Sequence, residues 1–250
     1  MTFEHSGRLH DRLAYARLSG AGPGVVFLPG FRSDMQGSKA LRLRDHCAVA
    51  GRAMLRFDYS GHGASAGRFE DGTIGAWADD ATAVFDDLTE GQQILVGSSM
   101  GGWIALLLAL RRPERVAGMV LLAPAPDFTK ALMQPAFTPP QRAALERDGV
   151  IHLPSQYGDP TPVTRALIEE GRNHLLLEKP IPLRCPVRIL QGMADPDVPW
   201  RHALRLVDAL DSTDVRLHLI KDGDHRLSRP GDLTLLVETL ESLTAGSPPP

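Results

Sequence analysis

Cysteine is nearly missing from this chain: Cys47 and Cys185 are the two thiols in 250 residues. That is too few for a disulfide framework, and no Cys/His spacing of the metal-binding kind can be built from them, so a reducing compartment is expected. An excess of charge is missing as well. The formal net charge is −3, and Arg111 with Arg112, or Arg42 with Arg44, read as solvated helix surface rather than a basic face, which argues against nucleic acid as a partner. No apolar run reaches the length of a membrane span, so stable membrane insertion is not expected. The opening Met1–Gly7 has neither the basic start and apolar core of a signal peptide nor the Arg/Ser-rich character of a transit peptide. Repeats and low-complexity tracts are also lacking.

What is present is an ordinary globular composition, 43% hydrophobic and 23% charged, in a chain long enough for one large α/β domain. Short apolar runs alternate with helical patterns. Strands are expected over 12–18, 24–30, 54–59, 94–96, 116–123, 187–191 and 215–220, and helices over 36–50, 73–89, 103–110, 200–210 and 233–243. This alternation predicts a mainly parallel sheet flanked by helices, with functional loops at the C-terminal ends of the strands. One stretch, about 126–182, breaks the rhythm with Pro135, Pro139, Pro140, Pro154, Pro160 and Pro162. It is expected to be a short helical lid insertion, with helices near 141–148 and 163–174. The tail 246–250 is expected to be disordered.

The chemistry enters at Gly97-Ser98-Ser99-Met100-Gly101. An apolar strand precedes this Gly-x-Ser-x-Gly pattern and an apolar helix follows it, the context of a nucleophile elbow. Ser99 is the expected nucleophile. The N-terminus of the following helix turns its free N–H groups toward the place where an acyl oxyanion would form. A serine hydroxyl needs a base, and the base an orienting acid. His225 follows the last expected strand and stands apart from the other histidines as the candidate base. His62 reads as part of the Gly61-His62-Gly63 turn, and His152 and His174 fall in the insertion. Asp195 and Asp197 both lie on the loop after strand 187–191, and the one that does not act as the acid is expected to be solvated or to cap the next helix. The oxyanion donors expected by position are the backbone N–H groups of Met100 and of Phe31, whose ring either lines the acyl pocket or packs the core. Arg142, Arg147, Arg165 and Arg172 in the insertion are interleaved with Glu146, Asp148, Glu169 and Glu170, the pattern of a solvated face.

With these residues identified, the chain resembles the α/β-hydrolase superfamily through Leu28-Pro29-Gly30-Phe31, Phe57-Asp58-Tyr59-Ser60-Gly61-His62-Gly63, the elbow, and the loop Gly192 to Trp200. More narrowly, Arg56-Phe57-Asp58-Tyr59-Ser60-Gly61, Ile94-Leu95-Val96-Gly97-Ser98-Ser99, Cys185-Pro186-Val187-Arg188 and Asp224-His225-Arg226 are similar to the mitochondrial palmitoyl-protein thioesterase and acyl-glucuronide esterase family and its bacterial relatives. In this fold the arrangement Gly192-x-x-Asp195-x-x-Val198-Pro199 selects Asp195 over Asp197. The resemblance implies a triad of Ser99, Asp195 and His225, no cofactor, and hydrolysis of a small-molecule ester or an acylated protein through an acyl-serine. A general carboxylesterase, an acyltransferase and a non-catalytic binding protein remain the alternatives. The chain lacks the targeting segment of the animal members and arginine far outnumbers lysine, so a bacterial cytoplasmic protein is expected.

Overall fold

The fold, a computed structural model describing residues 4–154 and 159–244, is built on one eight-stranded sheet. In chain order its elements begin with β1 (Glu4–Leu9), β2 (Leu13–Leu18), β3 (Ala21–Leu28), α1 (Ser38–Ala50), β4 (Arg52–Phe57), α2 (Ile74–Leu88), β5 (Gln93–Ser98), α3 (Met100–Arg111) and β6 (Val116–Leu122). An insertion follows, with α4 (Gln134–Ala136), α5 (Pro139–Asp148), β7 (Val150–Leu153), β8 (Thr161–Thr164) and α6 (Arg165–Glu170). The sheet resumes with β9 (Val187–Gly192), α7 (Trp200–Ala209), β10 (Val215–Ile220) and α8 (Pro230–Thr244). The strand order is β1-β2-β4-β3-β5-β6-β9-β10, parallel from β4 to β10, with β1 and β2 antiparallel at one edge.

The strands read as apolar runs rather than alternating ones because helices cover both faces. The period of two nevertheless sorts their side chains. Val26 and Leu28, Leu55 and Phe57, Leu95, Met119 and Leu121 join Trp77 of α2, Trp103 of α3 and Leu206 of α7 in one core. Val25 and Phe27, Met54, Ile94 and Val96, Val120 and Leu122 face the other way, onto Leu43 of α1 and Leu236 and Leu240 of α8. Fully burying each such side chain is worth about 1.5–3 kcal/mol. Residues 100–109 of α3 are all buried, so the central helix is clamped and with it the turn at its start.

The insertion is not purely helical. Val150–Leu153 and Thr161–Thr164 pair as an antiparallel hairpin, which corrects the helix expected from 163: Thr164 caps α6 by accepting the Leu167 N–H at 3.1 Å, so the helix begins only at Arg165. The earlier helix is α5, started by a capping box between Thr138 and Gln141. The insertion has a small core of Phe137, Leu145, Ile151, Val163 and Ile168, and it is pinned at several points, within itself and to α2 and α3. Buried Asp127 accepts the Leu176 and Leu177 amides at 2.8 Å each, joining the start of the excursion to its return. Glu170 accepts the Gly75 N–H at 3.0 Å, and Trp103 donates to the His174 carbonyl at 3.0 Å. Arg147 pairs with Asp148 and Arg165 donates to the Glu146 carbonyl, in keeping with a solvated face. The tail 246–250 lies outside the described residues.

Candidate active site

Six segments leave the C-terminal ends of the parallel strands on one side of the sheet, and those after β3, β5, β9 and β10 carry the candidate residues. Ser99 follows β5 at the sheet's centre with φ 55° and ψ −119°, a backbone region a non-glycine residue occupies at a cost of about 1–3 kcal/mol. The surroundings hold it there. Its N–H donates to the Leu122 carbonyl at 2.9 Å, and its carbonyl accepts from Gly102 at 2.9 Å and Ala125 at 3.1 Å. The flanking glycines answer to close backbone approach. A Cβ on Gly97 would lie 2.4 Å from the Gly101 carbonyl oxygen, and one on Gly101 would lie 2.1 Å from that of Leu28.

The loops after β9 and β10 are sewn together before they present their side chains. Met193 N–H donates to Ile220 O at 2.9 Å and Ala194 N–H to Gly223 O at 3.0 Å. A Cβ on Gly192 would sit 2.2 Å from that Gly223 oxygen, so only glycine admits the contact. Further on, Arg229 bridges Asp222 and Asp232, and Lys39 of α1 donates to the Arg226 carbonyl at 2.5 Å. Burial pulls the Lys39 ammonium down to about 8. These restraints fix the segment that bears His225.

The three chemistry-bearing side chains meet. His225 Nε2 is 3.0 Å from Ser99 Oγ, and His225 Nδ1 is 2.8 Å from Asp195 Oδ2. The Asp195 side chain is fully enclosed and that of His225 is 16% exposed. Asp195 Oδ1 accepts the N–H groups of Asp197 and Val198 at 2.8 and 2.9 Å, while Oδ2 also accepts from the Gln191 side-chain amide at 3.2 Å. With both oxygens engaged as acceptors, Nδ1 of His225 carries the hydrogen toward Asp195 and Nε2 is left to accept from the Ser99 hydroxyl.

Asp197 is exposed, the first of the two roles expected of whichever aspartate is not the acid; it does not cap α7, whose N-cap is Pro199 without a side-chain bond. Ligand atoms of Asp195, Asp197 and His225 fall within 4.8 Å of one another. A cation there would have to displace the amide and imidazole hydrogens that Asp195 already accepts, so the donor set favours hydrogen bonding over ligation.

The remaining predicted positions are the Phe31 and Met100 amides. Met100 opens α3, and Gly30 packs against the elbow, where a Cβ on it would lie 3.4 Å from Ser99 Cβ. Among the described residues neither the Phe31 nor the Met100 N–H meets a protein acceptor. The Phe31 ring packs against Phe69, Phe128 and Trp77 at centroid distances of 4.9, 5.7 and 5.9 Å.

Two contributors were not legible as site residues. Gln191 looks like one more core position of β9, and only the register shows its amide reaching Asp195. His62 is not merely part of a turn: it is buried, and its Nε2 accepts the Arg32 N–H at 3.3 Å. The signal for it was its place in Gly61-His62-Gly63, beside the loop that carries Phe31.

This fold, with a serine on a strained strand-to-helix turn and a hydrogen-bonded imidazole and carboxylate beside it, is that of an α/β hydrolase. Residues 23–166 match the family described as serine aminopeptidase, S33. Over 235 residues the chain is 43% identical to palmitoyl-protein thioesterase ABHD10, mitochondrial, of Bos taurus, an alignment covering 92% of this chain and 76% of that one. The mouse α/β hydrolase domain-containing protein 10 superposes with a TM-score of 0.88 at 39% identity, covering 97% of this chain and 98% of the mouse chain. A crystal structure of an Agrobacterium vitis S4 protein superposes with a TM-score of 0.89 at 46% identity, with coverages of 97% and 98%. The chain belongs to this thioesterase-named family of α/β hydrolases and is a serine hydrolase. No helix among the described residues is long and apolar enough to cross a membrane.

Proposed function

We propose that the protein hydrolyses long-chain acyl thioesters, S-acylated proteins in particular, through an acyl intermediate on Ser99. The observation that carries this reading is the relay Ser99 Oγ to His225 Nε2 to Asp195, at 3.0 and 2.8 Å, on a serine held in a strained turn. His225 takes the Ser99 proton as Oγ attacks the acyl carbon, and Asp195 holds the ring and stabilises the imidazolium. The Phe31 and Met100 amides stabilise the oxyanion. The tetrahedral intermediate expels the thiolate, which takes the proton from His225. Water then gives a proton to His225 and attacks the acyl-serine, and collapse releases the carboxylic acid and restores Ser99. No cofactor enters these steps.

The excursion between β6 and β9 acts as a lid over Ser99 within a single domain, and the protein works in the cytoplasm. The thioester preference is supported by the names of the bovine and mouse relatives and by the length over which this chain aligns with them. The test is hydrolysis of matched thioesters and oxygen esters of increasing acyl length, with Ser99→Ala as control. Faster, Ser99-dependent cleavage of long-chain thioesters is expected. A preference for short oxygen esters would make this a general carboxylesterase, and no turnover of either would return the acyltransferase and binding-protein readings.

A further inference from the structure

The turn bearing the Phe31 amide is gripped by a different strand from the one that delivers it. Residues 30–33 form a turn closed by the Ser33 N–H on the Gly30 carbonyl at 3.0 Å, with Arg32 at φ 55°. A left-handed arginine at the third position of such a turn is unfavourable on its own, since glycine is the residue that fits there. Two side chains from the loop after β4 hold the segment. Asp58 Oδ1 accepts the Met35 N–H at 2.7 Å, and His62 Nε2 accepts the Arg32 N–H at 3.3 Å. The Asp58 carboxylate also accepts the Ala64 N–H at 2.9 Å, so one motif closes its own turn and grips the neighbouring loop.

The His62 ring is itself fixed. Nδ1 lies 3.2 Å from the Ser60 carbonyl, to which it donates, leaving Nε2 as the acceptor. Trp77, Phe69 and Tyr59 surround the ring edge-to-face at 5.0, 5.1 and 5.5 Å. Ser60 is held in turn by Asp80, which accepts its N–H at 2.8 Å and its hydroxyl at 2.6 Å. Phe69 and Trp77 also pack the Phe31 ring, so one aromatic cluster fixes both the histidine and the residue whose amide it orients.

We propose that His62 is a positioning residue for acyl transfer: as a neutral acceptor it fixes the Phe31–Arg32 peptide and thereby aims the Phe31 N–H at the oxyanion formed on Ser99. This rests on the Ser99 mechanism above. Burial, which holds the ring down at about 4, keeps the acceptor nitrogen free of a proton at neutral pH.

The test compares His62→Phe, which keeps a flat ring among the aromatics but removes the acceptor, with His62→Gln, whose carbonyl oxygen can reach the Arg32 N–H. Each is assayed for kcat and KM on an acyl thioester and for affinity toward an acyl trifluoromethyl ketone, whose adduct with a serine places an oxyanion in the donor site. His62→Phe is expected to lose roughly 10- to 100-fold in kcat, part of the 100- to 1,000-fold that removal of an oxyanion donor costs. Its KM should stay within about threefold, its ketone affinity should fall by the same factor as kcat, and His62→Gln should restore most of both. Should His62→Phe fail to fold, His62→Asn replaces it, being too short to reach Arg32. Wild-type kcat and ketone affinity in the variant without the acceptor would overturn the proposal, as would a His62→Gln no better than that variant. Turnover retained by Ser99→Ala would instead overturn the parent mechanism, which keeps the two failures distinct.

Discussion

Asp195→Asn isolates what the carboxylate does, because the substitution changes donors and acceptors while keeping shape. Oδ1 accepts two backbone amides, and Oδ2 accepts from the Gln191 amide and the His225 imidazole. The asparagine carbonyl can keep the first pair, so the loop after β9 stays closed. Its NH2 then points at two donors. Gln191 cannot turn its amide over without giving up the Gly192 and Val198 carbonyls that its Nε2 serves at 3.2 and 3.0 Å. His225 yields instead, accepting at Nδ1 and moving its hydrogen to Nε2, where it faces Ser99 and cannot take a proton. The expected loss is about 1,000- to 10,000-fold in kcat, equivalent to about 4–5.5 kcal/mol of transition-state stabilisation. With the His225 contact re-formed in the opposite sense, what is lost is the Gln191 bond to the carboxylate, which lowers stability by about 1–3 kcal/mol and leaves the protein folded at 25 °C. The assay is steady-state thioester hydrolysis alongside thermal unfolding, with Asp197→Asn as comparator and expected to stay within about threefold of wild type. Asp195→Asn within tenfold of wild type, or Asp197→Asn as the damaging change, would remove Asp195 from this role.

Gly101→Ala places a methyl 2.1 and 2.5 Å from the Leu28 and Pro29 carbonyl oxygens. Because both are backbone atoms, about 3 kcal/mol or more should be lost, lowering Tm by about 6–12 °C in a calorimetric scan together with activity. The acid side of the stability curve should carry the signature of His62. Its folded value is lowered from 6.5 to about 4, so across that window the unfolded chain binds the proton and the folded chain does not. Stability therefore falls as pH drops from about 6.5 to 4, by about 3 kcal/mol from this residue. Asp58 and Asp127, raised by burial, oppose this trend equally in wild type and variant. Urea melts of His62→Gln should show a correspondingly shallower pH slope, and identical slopes would contradict a buried neutral imidazole. Burial also pushes the Cys47 thiol up to about 12 and raises that of Cys185. Native protein at pH 8 should therefore alkylate slowly at both, Cys47 slowest, and label at both once unfolded; rapid labelling of native Cys47 would contradict its burial.

The parallel core was legible because a sheet covered on both faces demands short apolar strands, and these stand out unbroken at 25–28, 94–96 and 119–122, and at 187–190 with Arg188 as the one interruption. The edge was not: Glu4–Leu9 is polar and largely exposed, and pairing with β2 alone makes it a strand. The hairpin in the insertion escaped for a similar reason. Its strands are four residues each, Pro162 argues against a strand, and residues brought together across an intervening segment leave no local pattern. At the site, Gly97, Ser99 and Gly101 announced themselves through backbone chemistry that only small residues permit. Ser99, Asp195 and His225 could be nominated because each follows a strand, yet their meeting depends on loops after β9 and β10 that are stitched by main-chain bonds any sequence could make. Gln191 and His62 lay beyond reach because a buried glutamine and a turn histidine acquire their partners only through register and packing.

Acyl transfer by this route passes through a covalent acyl group on Ser99. Rapid acid quenching of the protein during turnover of a palmitoyl thioester, followed by peptide mass mapping, tests it directly. A palmitoyl adduct is expected on the peptide containing Ser99, formed and lost at rates that match turnover and absent from Ser99→Ala. Turnover with no adduct at Ser99 under these conditions, or undiminished turnover by Ser99→Ala, would contradict it.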